Sequence, residues 1–502
     1  MNFQFGRVSL LPETRLHREA VFDVVFMGHS DKDADLAKLF ENPSMLDDMR
    51  VAGYADNLDE LYRNFSKQEE PILSSPLYNL PVPLHSLDEF IRLFSVKKSQ
   101  NVESTRYKSR LGGDYVWLPL AIADFFQNDV MKIPRRLWII PVDESSGVEG
   151  FLTQGIASAP GNEDEFDHDN ALLRALNLPN MGILCMPDFE RLHIAQSLKH
   201  IPHLRIANPI PTFLPCGSNS DDGVSERSPI EKEKPDESVY FIQHLKRIMQ
   251  VVAKYRRDVN VLMAFPYDTK MDGELPRSSI LAEDQLYQWR QDSDRQLLRH
   301  VQLIYPYLQD AQGKITSPCA ILAGKMLSST TEKGSWRSIA GLDIATFKRP
   351  FPYLSIKKIS LLREHPGLAL IGQKNNHLQL DDERLSVPYV EDQLATNSGE
   401  LARFMGWLFR ALEKLGLDLV FESVDTVTKS EILLRNFFGR LYQMGALRGK
   451  KSEDAFRVQS ELDGDSRVII NIQIAPAIPI DQLIVDFRLE NGEFLMRETG
   501  RG

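Results

Sequence analysis

The chain has 502 residues, 42% of them hydrophobic and 26% charged, the composition of a folded globular protein too long for one ordinary core. A formal net charge of −11 argues against bulk nucleic-acid binding, so any basic surface must be local. Cys185, Cys216 and Cys319 are odd in number and far apart, with no CxxC pair, which argues against a disulfide framework or a zinc site.

The first residues, MNFQFGRVSLLPETRLHREAVFDVVFMG, interrupt every apolar run with charge and fit no secretory signal. The best apolar stretch, VWLPLAIADFF, is broken by Asp124 and falls well short of the roughly 20 residues of a membrane span. A chain made in the cytoplasm, soluble and without membrane insertion of its own, is expected. Up to about residue 75 the pattern mixes extended and helical stretches punctuated by Pro43 and Pro71. LPVPLHSLDEFIRLF predicts an extended entry and then a helix, capped by Ser86 with Glu89 in the capping-box position and Phe90, Ile91 and Phe94 inward. YVWLPLAIADFF reads as an apolar helix and RRLWIIPV as a buried strand.

Helix and strand signals then alternate. DNALLRALNL is helical and MGILCMPD is a buried strand. VYFIQHLKRIMQVVAKY sets Phe241, Ile242, Leu245, Ile248, Met249 and Val252 on one helical face, and NVLMAFP is the next strand. This alternation predicts an α/β domain around a central sheet. Between Cys216 and Ser238 the chain is rich in Ser, Asp, Glu and Pro and poor in apolar residues. It reads as a surface insertion or as a docking segment for a partner.

In the last third, SGELARFMGWLFRALEKLG is an amphipathic helix stopped by Gly416, and LDLVFES is a strand. TKSEILLRNFFGRLYQMG predicts a helix with Thr428 and Glu431 as capping box. Leu433, Leu434, Phe437, Phe438, Leu441 and Met444 are inward, and Lys429, Asn436, Arg440 and Gln443 outward. SRVIINIQIAP and DQLIVDFRLE are alternating strands with a Pro-containing joint between them.

No catalytic, cofactor or metal site is specified. Gly324-Lys325 lacks the first glycine and the following Ser or Thr of a phosphate loop and reads as an ordinary loop. Asp164, Asp167, His168 and Asp169 lack EF-hand spacing and read as an acidic lead into the following helix. No HExxH, paired zinc arrangement or GxSxG elbow is present.

Taken in order, several segments resemble the contractile tail-sheath family of phages, R-type pyocins and related injection systems. The most specific is Gly445-Ala446-Leu447-Arg448-Gly449 followed by Glu453, Asp454, Ala455 and Phe456, then VIINIQIAPAIPIDQLIVDFRL. Upstream, CAILAGKMLSSTTEKGSWRSIAG is similar to a family turn through Gly324, Gly334, Trp336 and Gly341. PVPLHSLDEFIRLF, LPLAIADFFQND and LWIIPV are similar to its early segment. Asn128-Asp129 stands where the family has Gly-Gly, and LSIKKISLLREHPGLALIGQKN keeps only the outline of the corresponding stretch.

The resemblance implies a multidomain α/β (α+β) sheath subunit that is not an enzyme and needs no cofactor or metal. Its expected pieces are an N-terminal arm and divergent segment (1–75), an inner domain (76–142 and 346–480), an outer α/β domain (143–345, with the insertion at 217–238) and a C-terminal arm (481–502). It implies a helical homopolymer of stacked hexameric rings that contracts around an inner tube protein, with baseplate and terminator or cap proteins as further partners. The expected setting is the cytoplasm during assembly and then released phage-like particles. Arg440, Arg448, Lys450 and Lys451 are the candidates for inner-tube contact, or else form a solvated turn. Leu483, Ile484, Val485, Asp486, Phe487, Arg488 and Leu489 form a strand that either adds to a neighbouring subunit's sheet or folds back on its own. A sheath-like terminator or initiator is the runner-up, and an α/β enzyme with an unrecognised site is the reading from another class.

Overall fold

The computed structural model describes residues 22–98, 109, 111–127, 135–153, 170–195, 237–268, 277–345, 348–354, 362, 367–374, 377–388, 397–420, 426–463, 467–477, 483–490 and 493–500. The acidic run ending at Asp169 and the insertion up to residue 236 lie outside these residues, as does Cys216.

The main sheet is assembled from β1 (Asp23–Gly28), β2 (Val82–Leu84), β3 (Leu137–Pro141), β4 (Met181–Cys185), β5 (Asn260–Ala264), β6 (Val301–Tyr305), β7 (Asp343–Ala345), β8 (Leu368–Lys374) and β9 (His377–Leu380). Their order is β7-β9-β8-β6-β5-β4-β1-β3-β2. The stretch from β3 to β8 is parallel throughout, with Val24 opposite Leu137, Leu184 opposite Val261 and Leu303 opposite Leu368. Strands such as LWIIP and MGILC are buried on both faces, which is why they are continuous apolar runs without alternation. β2 is an antiparallel edge, where Pro83 loses no ladder partner on its open side.

Taken in chain order, the parallel strands lie 2-1-3-4-5-6, a doubly wound sheet whose direction of winding reverses between β1 and β4. Its helical layers include α1 (Leu36–Phe40), α2 (Pro43–Val51), α3 (Ala55–Phe65), α4 (Leu87–Leu93), α5 (Leu118–Gln127), α6 (Ala171–Leu176), α7 (Pro187–Leu192), α8 (Phe241–Tyr255), α9 (Ile280–Trp289) and α10 (Cys319–Lys333). Ser86 caps α4 as expected, its Oγ accepting from Glu89 N at 3.2 Å, but Glu89 reaches back to His85 N (2.7 Å), one residue before the N-cap position a capping box uses. Phe90 and Phe94 are buried there, but Ile91 faces solvent. All six apolar residues expected on the inner face of α8 are buried.

Gly324-Lys325 is not a loop. It lies inside α10, where a Cβ on Gly324 would stand 2.6 Å from the Phe125 carbonyl oxygen of α5. The small residue serves close helix packing. The sheet also runs across residues 142 and 345, where the sequence reading divides the chain, and one core cluster extends from Phe22 to Val387.

A second cluster forms around α11 (Gly399–Val420), α12 (Thr426–Gln443) and α13 (Ser452–Ala455). They lie with the antiparallel sheet β10 (Phe456–Asp463), β11 (Arg467–Ile474), β12 (Leu483–Glu490) and β13 (Glu493–Gly500), paired in that order. α11 continues through Gly416 to Val420, so the expected strand from Leu417 is helical over its first four residues; residues 421–423 lie outside the described ones.

α11 joins the two clusters. On one side Phe404, Leu408 and Leu412 meet Leu434, Phe438 and Leu441 of α12 in one core cluster. On the other, Arg410 donates to Asp258 Oδ2 at 2.8 Å and to the Asp258 carbonyl at 3.0 Å, at the N-terminal end of β5. Arg403 pairs with buried Glu383, which also accepts from Ser338 Oγ at 2.8 Å and from Ile339 N.

Candidate assembly interface

The C-terminal end of α12 is fixed by main-chain bonds. Ala446 N donates to Leu441 O at 2.9 Å and Gly445 has φ 76°, a left-handed turn that suits glycine. Ala446 and Leu447 then drop into the core, and Leu447 bridges to Pro476 at the end of β11. Arg448 N donates to Ala475 O at 2.7 Å, Ala477 N to Ala446 O at 2.8 Å, and Ala475 N to Ala455 O at 2.9 Å. The Gly-Ala-Leu turn therefore clamps the exit of β11, while the Arg440, Arg448, Lys450 and Lys451 side chains are exposed.

α12 buries only part of the face expected from its sequence. Leu434, Phe438 and Leu441 are buried, but Leu433 is 38% and Met444 42% exposed, and Ile432 is 53% exposed. The expected Thr428–Glu431 box is not the start, since the helix begins at Thr426. Glu431 instead accepts from Ser460 Oγ at 2.9 Å and from Arg435, tying α12 to β10. The result is a helix with exposed apolar residues that leads into an exposed basic turn.

Leu483–Leu489 lie in β12, which pairs antiparallel with β11 from Val468↔Leu489 to Ile474↔Leu483. In the single chain this strand continues its own sheet. β13 then pairs with β12, so the end of the chain is a hairpin, for which Asn491-Gly492 was the available sequence signal.

The crevice where a doubly wound sheet would receive a ligand lies at the carboxyl ends of β1 and β4. Here it is filled by the chain itself. Asp188 accepts from His29 N (2.8 Å), Trp117 N (2.9 Å) and Leu118 N (2.9 Å), and from Arg191 Nε (2.7 Å). Arg191 also reaches His29 Nδ1 at 2.9 Å and Glu144 at 3.1 Å. Burial holds the His29 imidazole down to about 4, so it is neutral in this network. Alongside, buried Glu190 accepts from Ala264 N at 2.9 Å, and desolvation pushes its carboxyl up to about 8. Asp188 ties the end of β1 to the start of α5 and Glu190 caps the end of β5, and among the described residues no group of three or more His, Cys, Asp or Glu is arranged to hold a metal ion. No helix among the described residues is long and apolar enough to cross a membrane.

No protein-family profile and no curated protein matches the sequence. Solved structures do match the fold. A chain of the anti-feeding prophage baseplate in its contracted state is 12% identical, with a TM-score of 0.53 over 92% of this chain and 88% of that one. The six-fold symmetrised baseplate of the same particle gives 14% identity and a TM-score of 0.50 over 92% and 91%. Its helical sheath in the contracted state gives 13% and 0.49 over 92% and 91%. The chain thus has the α/β multidomain fold of proteins in a contractile particle, as the sequence resemblance implied.

Proposed function

We propose that the chain is a structural subunit of a contractile sheath, which polymerises helically around an inner tube and shortens to drive that tube through a target envelope. The observation that supports the reading is the C-terminal sheet: β12 lies between β11 and β13 and joins the rest of the chain through its ladder to β11, beyond a connection whose root is clamped by the basic turn. A second copy offers β12 the same ladder, and a head-to-tail exchange of this kind does not close on itself but propagates as a helix. The exposed face of α12 with Arg440, Arg448, Lys450 and Lys451 is turned to an acidic surface of the tube protein. The pairs are individually weak, about 0 to 1 kcal/mol each, but are repeated along the lattice, so the tube is held and can still be released.

Contraction in this reading is a change of packing between rigid bodies, stored as a metastable lattice and triggered at the baseplate. It asks no catalysis, cofactor or nucleic acid of this chain. Assembly takes place in the cytoplasm, and the sheath leaves within a released particle.

The test is negative-stain microscopy of the purified chain, alone and with its tube protein, beside a truncation lacking residues 481–502. Striated tubes or cogwheel discs from the full chain, and folded monomers from the truncation, are expected. Single caps would instead make it a terminator or initiator of the same machine, and normal sheaths from the truncation would remove the arm exchange.

A further inference from the structure

We infer that the sheet domain holds a site for a hydrogen phosphate ion, built around Arg290 and Arg384 and independent of the assembly reading above. Arg290 stands at the C-cap of α9 and is only 5% exposed. Its Nη1 is buried without a hydrogen-bond partner, and no carboxylate among the described residues pairs with the guanidinium. Arg191 and Arg403, buried like it, reach Asp188 and Glu383. The C-terminal end of α9 offers the cation a partial negative charge, but that does not replace a bonded acceptor.

The chain converges on this guanidinium at the starts of β6 and β8. Gly367, the residue before β8, has φ 115°, and a Cβ there would stand 2.4 Å from Arg290 Nη1 and 3.4 Å from the Ser386 carbonyl oxygen. Ser386 Oγ donates to the Gly367 carbonyl at 2.8 Å, and Ser386 N donates to Val301 O, at the start of β6, at 2.9 Å. Arg384, two residues earlier, is half-buried and paired with Asp382 at 3.0 Å. A side chain at 367 would displace the guanidinium, so glycine is what lets Arg290 sit at the strand ends. Burial, and then the charge of Arg384, push the Arg290 guanidinium down to about 10, the direction for a cation with a like charge near it and no counter-ion.

Two guanidiniums and one carboxylate select the ligand. Arg290 and Arg384 are both positive and Asp382 is negative, so the cluster keeps a positive charge that nothing in it offsets. An oxyanion supplies acceptors to both guanidiniums through charge-assisted hydrogen bonds, which arginine forms in pairs. A carboxylate or a sulfate would set only acceptors against Asp382. Hydrogen phosphate keeps a P–OH at neutral pH, which donates to the Asp382 carboxylate while the other oxygens accept from the arginines. A phosphate monoester, whose second pKa is about 6, has mostly lost that proton, so the free ion is the better match.

Calorimetric titration of the full chain with inorganic phosphate, at about pH 7.5 and constant ionic strength, tests the site. Saturable binding is expected, and at least about tenfold weaker binding by Arg290→Met, the loss of a charge-assisted hydrogen bond. Sulfate and glycerol phosphate should bind the wild type about tenfold more weakly than phosphate, and Asp382→Asn should abolish that preference. No saturable binding by the wild type, or unchanged binding by Arg290→Met, would overturn the site. Equal affinity for sulfate, or a preference that survives in Asp382→Asn, would overturn hydrogen phosphate as its ligand. In phosphate-free buffer Arg290→Met should melt no lower than the wild type, because it removes a charge without a counter-ion. A clear drop there would mean that the folded chain itself satisfies Arg290, and it would overturn the proposal as well.

Discussion

Gly406, in the middle of α11, lies so close to Asp258 that a Cβ on it would stand 2.3 Å from the Asp258 carbonyl oxygen. That approach lets Arg410, one turn on, reach the same residue with its guanidinium. Gly406→Ala must push the helix away from the end of β5 or tilt it. A loss of about 1–3 kcal/mol is expected, the usual cost of overpacking, read from denaturant midpoints. A change below about 0.5 kcal/mol would mean that α11 is not seated on the sheet domain as described.

The second fastening of α11 is Arg403 on Glu383, both buried. Arg403→Met leaves the Glu383 carboxylate with only the Ser338 hydroxyl and the Ile339 N–H, and a loss of about 3–5 kcal/mol is expected. Changing Glu383 to Met as well removes the stranded charge, so the double variant should be more stable than Arg403→Met alone. A double-mutant cycle with no coupling would show that the two side chains do not depend on each other.

Stability against pH should pass through a maximum near pH 6.5. Burial lowers His29 and His300 to about 4 and His193 to about 3, so the folded chain stays neutral at these sites while the unfolded chain takes up protons. Their contribution is present above about 6.5 and is lost as pH falls, at about 1.4 kcal/mol per pH unit for each histidine. Glu190 acts oppositely: raised to about 8 by desolvation, it favours folding at low pH and costs stability as pH rises toward 8. Glu190→Gln should therefore stabilise the chain most at about pH 8, by an amount that shrinks steadily as pH falls and vanishes near pH 4.5. Equal effects of that variant on both limbs would contradict the assignment.

Three of the parallel strands, β3, β4 and β5, were legible because strands covered on both faces are apolar runs, whereas β1, β6 and β8 were not read as strands; α8 was legible because its single buried face repeats at helical spacing. Leu417–Val420 misled for the same reason: a short apolar run after a glycine suits a strand or a helix, and only packing chooses. Gly324 looked like loop chemistry because sequence does not show which helix lies against it. On α12 the spacing placed Leu433 and Met444 inward, and their exposure was not readable from spacing alone, because it depends on how much of the helix the neighbouring elements cover. The basic turn was legible as residues, but its role as a clamp on Ala475 and Ala477 comes from main-chain pairing that no side-chain pattern encodes.

Reversing the turn, with Arg448→Glu, Lys450→Glu and Lys451→Glu together, separates the clamp from the charges. The clamp is made by backbone groups and by buried Ala446 and Leu447, none of which changes, so the purified triple variant should unfold at the wild-type midpoint within about 0.5 kcal/mol. Its assembly on the tube protein should fall sharply, because each like-charge contact is repeated in every subunit. Raising salt should weaken wild-type assembly in the same direction, since exposed pairs are screened beyond about 8–10 Å at physiological ionic strength. Lys450→Gln with Lys451→Gln should lie between the two. Assembly that ignores both the reversal and the salt would take the basic turn out of tube contact, leaving it as the clamp on the exit of β11.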